Sequence, residues 1–235
     1  MEGIQIYELK RMDLRDATVI DGFPSVGLVS SIVANYLINA LGLQQIGIMD
    51  SVYFPTVSLV RNGEPMNPVR IYAGQKQEGV DQLVVFISEF QPPPNLVKGI
   101  ASTVLDWALD QKCDLLVCPE GLIVDSDSTP GEREIEVYGI GSTDSSMELL
   151  RKNKVTIFEE GVITGVAGVL CLSALTPRLA TIVDTHPRRR PELRGVGTAS
   201  PPHVVAVGGA SSRSTQGTLC SLRYSSTACP RVAKK

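Results

Sequence analysis

The stretch Ala17–Gly42, ATVIDGFPSVGLVSSIVANYLINALG, decides the fold. Ala17–Asp21 reads as a short strand, and Asp21-Gly22-Phe23-Pro24-Ser25 as a turn. Gly and Pro punctuate that turn, and Ser25 is a residue type that caps a helix start. From Val26 to Leu41 apolar residues fall at positions 26, 29, 33, 37 and 41, the stripe of a helix. Gly42 follows as a C-terminal stop. Strand, tight turn and helix in succession open an α/β unit.

Working outward, Ile4–Leu9, Leu43–Met49, Thr56–Val60 and Val69–Ala73 read as strands. Asn62-Gly63 sits between two extended runs and predicts a hairpin turn with positive φ. Leu83–Ile87 is an unbroken apolar run, the pattern of a central strand covered on both faces. Pro92-Pro93-Pro94 is too stiff and too poor in donors to join a sheet. Asn95–Gln111 follows as a helix with Leu96, Ile100, Val104 and Trp107 on one side, and Asp114–Cys118 as a second buried strand. Leu122–Glu134 is polar and loop-like. After it come a strand at Ile135–Ile140, a helix at Ser145–Asn153, a strand at Lys154–Phe158 and a helix at Gly161–Leu175. The alternation predicts a single-domain α/β chain, a three-layer α/β/α sandwich with a largely parallel sheet.

Composition bounds the function. Of 235 residues, 43% are hydrophobic and 20% charged, an ordinary globular balance. Net charge of −3 leaves no nucleic-acid footprint. That total hides a division: residues 1–175 carry 12 Lys+Arg against 23 Asp+Glu, whereas residues 176–235 carry 10 against 2. We therefore separate a 1–175 domain from a 176–235 tail rich in Arg, Ser and Pro. Two readings of the tail stay open: a disordered basic segment, or a reading frame that slipped near Leu172–Leu175. Within it, only His203–Gly208 looks capable of forming a strand. Gly22–Met49 lacks charge, but Pro24, Asn35, Asn39, Gln44 and Gln45 interrupt it, so no membrane span is expected. No signal peptide precedes the first strand, and five cysteines without a CxxC pair fit a reducing cytoplasm.

Catalytic chemistry is sparse. Residues 1–175 contain no histidine, the usual general base and metal ligand, so no catalytic residue and no metal site is assigned. There is no GxxxxGK loop, and Gly22-Phe23-Pro24-Ser25-Val26-Gly27 has Phe and Pro where a dinucleotide fingerprint wants glycine. No cofactor is expected. The same loop would leave backbone N–H groups free at a helix start. Gly22, Phe23, Pro24, Ser25 and Gly27 are therefore candidate anion- or partner-binding residues, the alternative being a plain strand-to-helix connection. Asp125, Asp127, Glu132 and Glu134 read as a solvated acidic loop rather than a cation site, and Glu89 alone is a thin case for a ligand.

The positive signal lies in two helices without charge, Val26–Leu41 and Gly161–Leu175. A surface helix ordinarily shows a charged face, so these predict cover from a second subunit. Val29, Val33 and Tyr36 on the first helix, with Gly161, Gly165 and Gly168 on the second, are the candidate interface residues. A tightly packed monomer is the alternative.

The Gly22–Gly27 motif with its helix closed by Gly42 resembles the opening of the proteasome-assembly-chaperone family. The Leu83–Glu89 strand running into the proline loop, and Gly161-Val162-Ile163-Thr164-Gly165-Val166-Ala167-Gly168, support the likeness, which covers about residues 1–172. The resemblance implies an α/β/α domain, homo-oligomeric in archaeal members, that binds proteasome α-type subunits during assembly and is not an enzyme. Some relatives are catalogued near ATP-grasp enzymes, which would make the loop a nucleotide site; the missing phosphate motifs give no support to that alternative. Some archaeal members dock through a C-terminal hydrophobic-Tyr-any tripeptide, whereas this chain ends Val232-Ala233-Lys234-Lys235. Family members also continue past the glycine-spaced helix with a strand and a final helix, which the tail does not resemble.

Overall fold

The computed structural model describes residues 3–76, 81–124, 137–172 and 179–187; the Asp125–Glu134 acidic loop and the His203–Gly208 segment lie outside them. The chain runs β1 (Ile4–Glu8), β2 (Thr18–Gly22), a 3-10 turn (Val26–Leu28), α1 (Val29–Ala40), β3 (Gln44–Ser51), β4 (Leu59–Arg61), β5 (Glu64–Met66) and β6 (Val69–Ala73). It continues through β7 (Leu83–Ser88), α2 (Pro94–Asp110), β8 (Leu115–Val124), β9 (Val137–Gly141), α3 (Asp144–Lys152), β10 (Thr156–Ile157), α4 (Gly165–Leu172) and β11 (Leu179–Pro187).

One nine-stranded sheet has the order β1-β3-β6-β7-β2-β8-β11-β9-β10. The α/β class is as expected, but the sheet is mixed rather than largely parallel. β2 runs parallel to β7 and β8, and β8 parallel to β11. The β1–β3, β3–β6, β6–β7 and β9–β11 pairs are antiparallel. Parallel neighbours need a long crossover, and the β2–β7, β2–β8, β8–β11 and β9–β10 pairs, the last parallel as well, are each separated in sequence by at least one helix. Elsewhere the return is short. β3 comes back as β6 after the β4–β5 hairpin, whose Asn62 (φ 53) and Gly63 (φ 83) occupy the left-handed region expected of the pair.

Alternate residues of the central strands divide between two apolar clusters, as a period of two requires. Val19, Val84, Phe86, Leu116 and Cys118 face α2 and α4, with Leu96, Ile100, Val104, Ala167 and Leu170. Ile20, Val85, Ile87, Leu115 and Val117 face α1 and α3, with Val33, Leu37 and Leu150. Phe86 and Trp107 meet edge to face at 5.2 Å, tying β7 to α2.

β8 runs on through Leu122–Val124, which read as loop, and three further local readings change. The Val26–Leu41 helix is broken at its start, where Gly27 (φ 68) and Leu28 (φ 58) are left-handed in succession, so α1 begins at Val29. The last helix starts at Gly165 rather than Gly161. Gly161–Thr164 run alongside it, with the Ile163 carbonyl oxygen 2.4 Å from where a Cβ on Gly168 would sit. The third change concerns the tail. A strand at Leu179–Pro187 inserts between β8 and β9, inside the segment read from composition as atypical. Its Thr181-Ile182-Val183 run is β-branched, a strand signal that the shift in charge outweighed.

Candidate functional site

The Gly22–Gly27 loop leaves the carboxyl end of β2, between β7 and β8, the end of an open α/β sheet where ligands and partners meet the fold. Gly22 is there for space: a Cβ would lie 2.4 Å from the Phe86 carbonyl oxygen and 2.5 Å from Ala34 Cβ. α1 thus presses directly on β2 and β7. Gly121 does the same on β8, where a Cβ would sit 2.2 Å from the Val26 carbonyl oxygen. Gly22→Ala is expected to cost about 3 kcal/mol in urea unfolding, because the opposing atoms are backbone and core and cannot swing aside. An unchanged midpoint would show that α1 is free to lift.

Hydrogen bonds hold the loop from within. Ser30 Oγ donates to the Phe23 carbonyl oxygen and lies 2.9 Å from Ser25 Oγ. The Phe23 N–H donates to Asp21 Oδ1 at 3.0 Å, and Phe23 itself is buried in the core. Pro24 and Ser25 are half-buried, and Val26–Leu28 exposed.

Beneath the loop lies a pair of acids that the sequence reading passed over. Asp21 is the last but one residue of β2 and Glu120 sits on β8; both are buried. Asp21 Oδ2 has no full hydrogen-bond partner among the described residues, and the Cys118 thiol beside the carboxyl is a weak donor. Burial pushes the Asp21 carboxyl up to about 6, against the Phe23 N–H bond, which lowers it. Burial likewise pushes Glu120 up to about 8, with the Asp21 charge adding to it, while Ser25 and the Gly121 backbone pull it down. Cys118 is raised well above the ordinary thiol range, first by burial and then by Asp21, Cys171 and Glu120. Both shifts favour the protonated carboxyl over the ionised one, and burial is the larger cause in each. An anion at the loop would sit above two acids, which opposes it. The chemistry points away from phosphate. The signal in the sequence was an acid at or just past the end of each of two apolar runs, Val19-Ile20-Asp21 and Val117-Cys118-Pro119-Glu120.

Glu89, by contrast, has a structural partner. Arg70 is fully buried and bonds Glu89 Oε1, the Asn67 carbonyl oxygen at 2.8 Å and Tyr72 Oη at 3.2 Å. Among the described residues no cluster of His, Cys, Asp and Glu could hold a metal ion, and no helix is long and apolar enough to cross a membrane.

The candidate interface residues separate by face. Val29 and Val33 point into the core, because with Leu37 they form the i, i+4 row over the sheet. Tyr36 is half-buried. The outward row is Leu28 (56% exposed) and Ile32 (42% exposed). Asn35 Nδ2 and Asn39 Nδ2 donate back to the Ser31 and Asn35 carbonyl oxygens, whereas Ser31 Oγ has no hydrogen-bond partner among the described residues. Gly161 accommodates the Phe158 ring, Gly165 (φ 73) turns the chain into α4, and Gly168 receives Ile163. Gly161 and Gly168 thus make room for Phe158 and Ile163 of the same chain, while the space beside Gly165 is open among the described residues. Loop 22–28 and α1 are brought together with the acid pair; the α4 glycines are not part of that site.

Comparison with known proteins places this architecture. The model described as PAC2 family matches residues 19–187, past Leu172 and through the end of β11. An uncharacterized protein of Methanocaldococcus jannaschii is 26% identical over 172 residues, 73% of this chain and 66% of that protein, just under two thirds of its length. Among solved structures, Pyrococcus furiosus PbaA, an archaeal homolog of proteasome-assembly chaperone, superposes with a TM-score of 0.66. It is 27% identical over 77% of this chain and 76% of its own. Pyrococcus furiosus PbaB, an archaeal proteasome activator, shares the fold with a TM-score of 0.64 at 20% identity, covering 79% of this chain and 81% of its own.

Proposed function

Since this chain belongs to the PAC2 family, we propose that it is a protein-binding chaperone of proteasome assembly, without catalysis, acting on α-type subunits. The likeness to PbaA over most of both chains carries the reading. The molecule supports it with an outward α1 face that exposes Leu28 and Ile32 and carries no charge, a surface that suits contact with protein. A homo-oligomer working in the cytoplasm is part of the same proposal, as is the three-layer description of helices on both sheet faces. Gly22, Phe23, Pro24, Ser25 and Gly27 act here as the scaffold that presents Val26 and Leu28. The domain is proposed to end at Pro187 rather than 175, because β11 and the family match both reach that far. Beyond it, residues 188–235 hold 9 basic and 1 acidic residue, and intact mass with resequencing of the gene discriminates the two readings of the tail.

The test is co-expression with proteasome α subunits followed by affinity capture of this chain. Recovery of α subunits is expected; no association at micromolar concentration sinks the proposal. Leu28→Gly sharpens it. That variant removes an exposed leucine and a left-handed non-glycine residue, so stability is expected to hold or rise by about 1 kcal/mol while capture falls. Equal capture would take the α1 face out of the interface.

A further inference from the structure

The sheet ends on one side at β1, whose only partner strand among the described residues is β3. Every second residue of such an edge directs its N–H and C=O away from the sheet. On this flank β1 and α2 enclose a groove of about 420 Å³, lined by Ile4 and Ile6 from β1 and by Lys98, Asp106, Trp107 and Asp110 from α2, among others. The two isoleucines and Trp107 are partly buried against the core and give the groove an apolar floor. Lys98, Asp106 and Asp110 are exposed, and none is in an ion pair among the described residues. Asp106 and Asp110 are one helical turn apart and share a side of α2.

We propose that this groove takes an extended segment of a partner protein, added as a strand beside β1. That segment carries a basic side chain against Asp106 and Asp110 and an acidic one against Lys98. The spacing follows from the two geometries. Lys98 and Asp106 are eight residues apart on α2, about 12 Å at the helical rise of roughly 1.5 Å per residue. An extended chain covers that distance in four residues at about 3.3 Å each, and residues four apart lie on one face of a strand. The segment therefore has Lys or Arg at one position, Glu or Asp four away, and an apolar residue midway over Ile4, Ile6 and Trp107. A small molecule would leave the edge row of backbone groups unpaired; an extended chain satisfies it, the mode of strand addition. This surface is independent of the α1 face, and its failure would leave the chaperone proposal to its own test.

The probe is a fluorescein-labelled peptide, Thr-Lys-Thr-Val-Thr-Glu-Thr, titrated with the full chain and read by anisotropy. Saturable binding is expected with Kd on the order of 100 µM, as suits a short segment that is ordered on binding. Replacing the central Val with Pro is expected to abolish it. The double variant Asp106→Lys, Asp110→Lys is expected to weaken binding at least about ten-fold and to bind better a peptide with Glu in place of Lys. These residues are exposed, so the variant's thermal unfolding should match that of the parent and rule out misfolding. Three results would each overturn the proposal. They are no saturation by about 1 mM, equal affinity for the Pro peptide, and an affinity indifferent to the charge reversal. A sheet edge closed by a second copy of this chain would give the first of these.

Discussion

Glu120→Gln is expected to unfold at higher urea than the parent protein at pH 9 and at the same urea near pH 4. Glu120 is raised to about 8 from an ordinary 4.5, first by burial and then by Asp21. A carboxyl whose folded value is raised binds its proton more tightly when folded. Its contribution is complete below the unfolded value near 4.5 and is lost as pH climbs through the folded value near 8. Between these limits stability falls with pH. Asp21, raised to about 6 from 3.8, adds a loss in the lower part of the same window. Glutamine copies the protonated form and cannot ionise, so the variant escapes the upper part of the loss. A shift of this size would correspond to about 4–5 kcal/mol if fully expressed, and relaxation of the fold around the ionised carboxylate reduces the expected gain to about 2–4 kcal/mol at pH 9. The readout is the difference between variant and parent across pH, which cancels the other carboxylates. Parallel curves from pH 4 to 9 would show that Glu120 titrates alike in the folded and unfolded chain and so is solvated. Ser25 hydrogen-bonds the Glu120 carboxyl and the Val26 carbonyl oxygen packs on Gly121, so the loop rests directly on this part of β8.

Glu89→Ala is expected to cost about 3–5 kcal/mol, more than its partly exposed position suggests. The Arg70 side chain is 1% exposed against 27% for Glu89. Removing the glutamate strands a guanidinium that keeps, among the described residues, the Asn67 carbonyl oxygen and Tyr72 Oη. Arginine does not shed its proton to escape, so the charge stays uncompensated. The double variant Arg70→Met, Glu89→Met should recover most of the loss, since an apolar pair of similar volume removes both charges together. Chemical denaturation of the three proteins settles it. A Glu89→Ala loss below about 1 kcal/mol would mean that water reaches Arg70 and the pair is a surface contact.

Much of this molecule was legible locally. The 2.0 and 3.6 periods gave β6 at Val69–Ala73, the Asn62-Gly63 turn and the apolar rows of α1 and α2, because each depends on neighbours in sequence. The family resemblance was carried by residues of the same kind, a glycine-bounded turn and the helix behind it. The absence of histidine up to residue 175 likewise came from the sequence alone.

What lay beyond the sequence was every property set by residues far apart in it. Strand direction is one: β3 and β6 look alike whether parallel or antiparallel, and only their closure around the β4–β5 hairpin decides. The strand at Leu179–Pro187 is another, since its pairing with β8 and β9 outweighs the shift in charge around it. The site is the clearest case. Asp21 and Glu120 are about a hundred positions apart, and each alone reads as an ordinary acid after a strand. Their burial under the loop, with the Cys118 thiol beside Asp21, raises both carboxyls above the range of a surface acid. Desolvation is a property of the packed molecule and not of the chain.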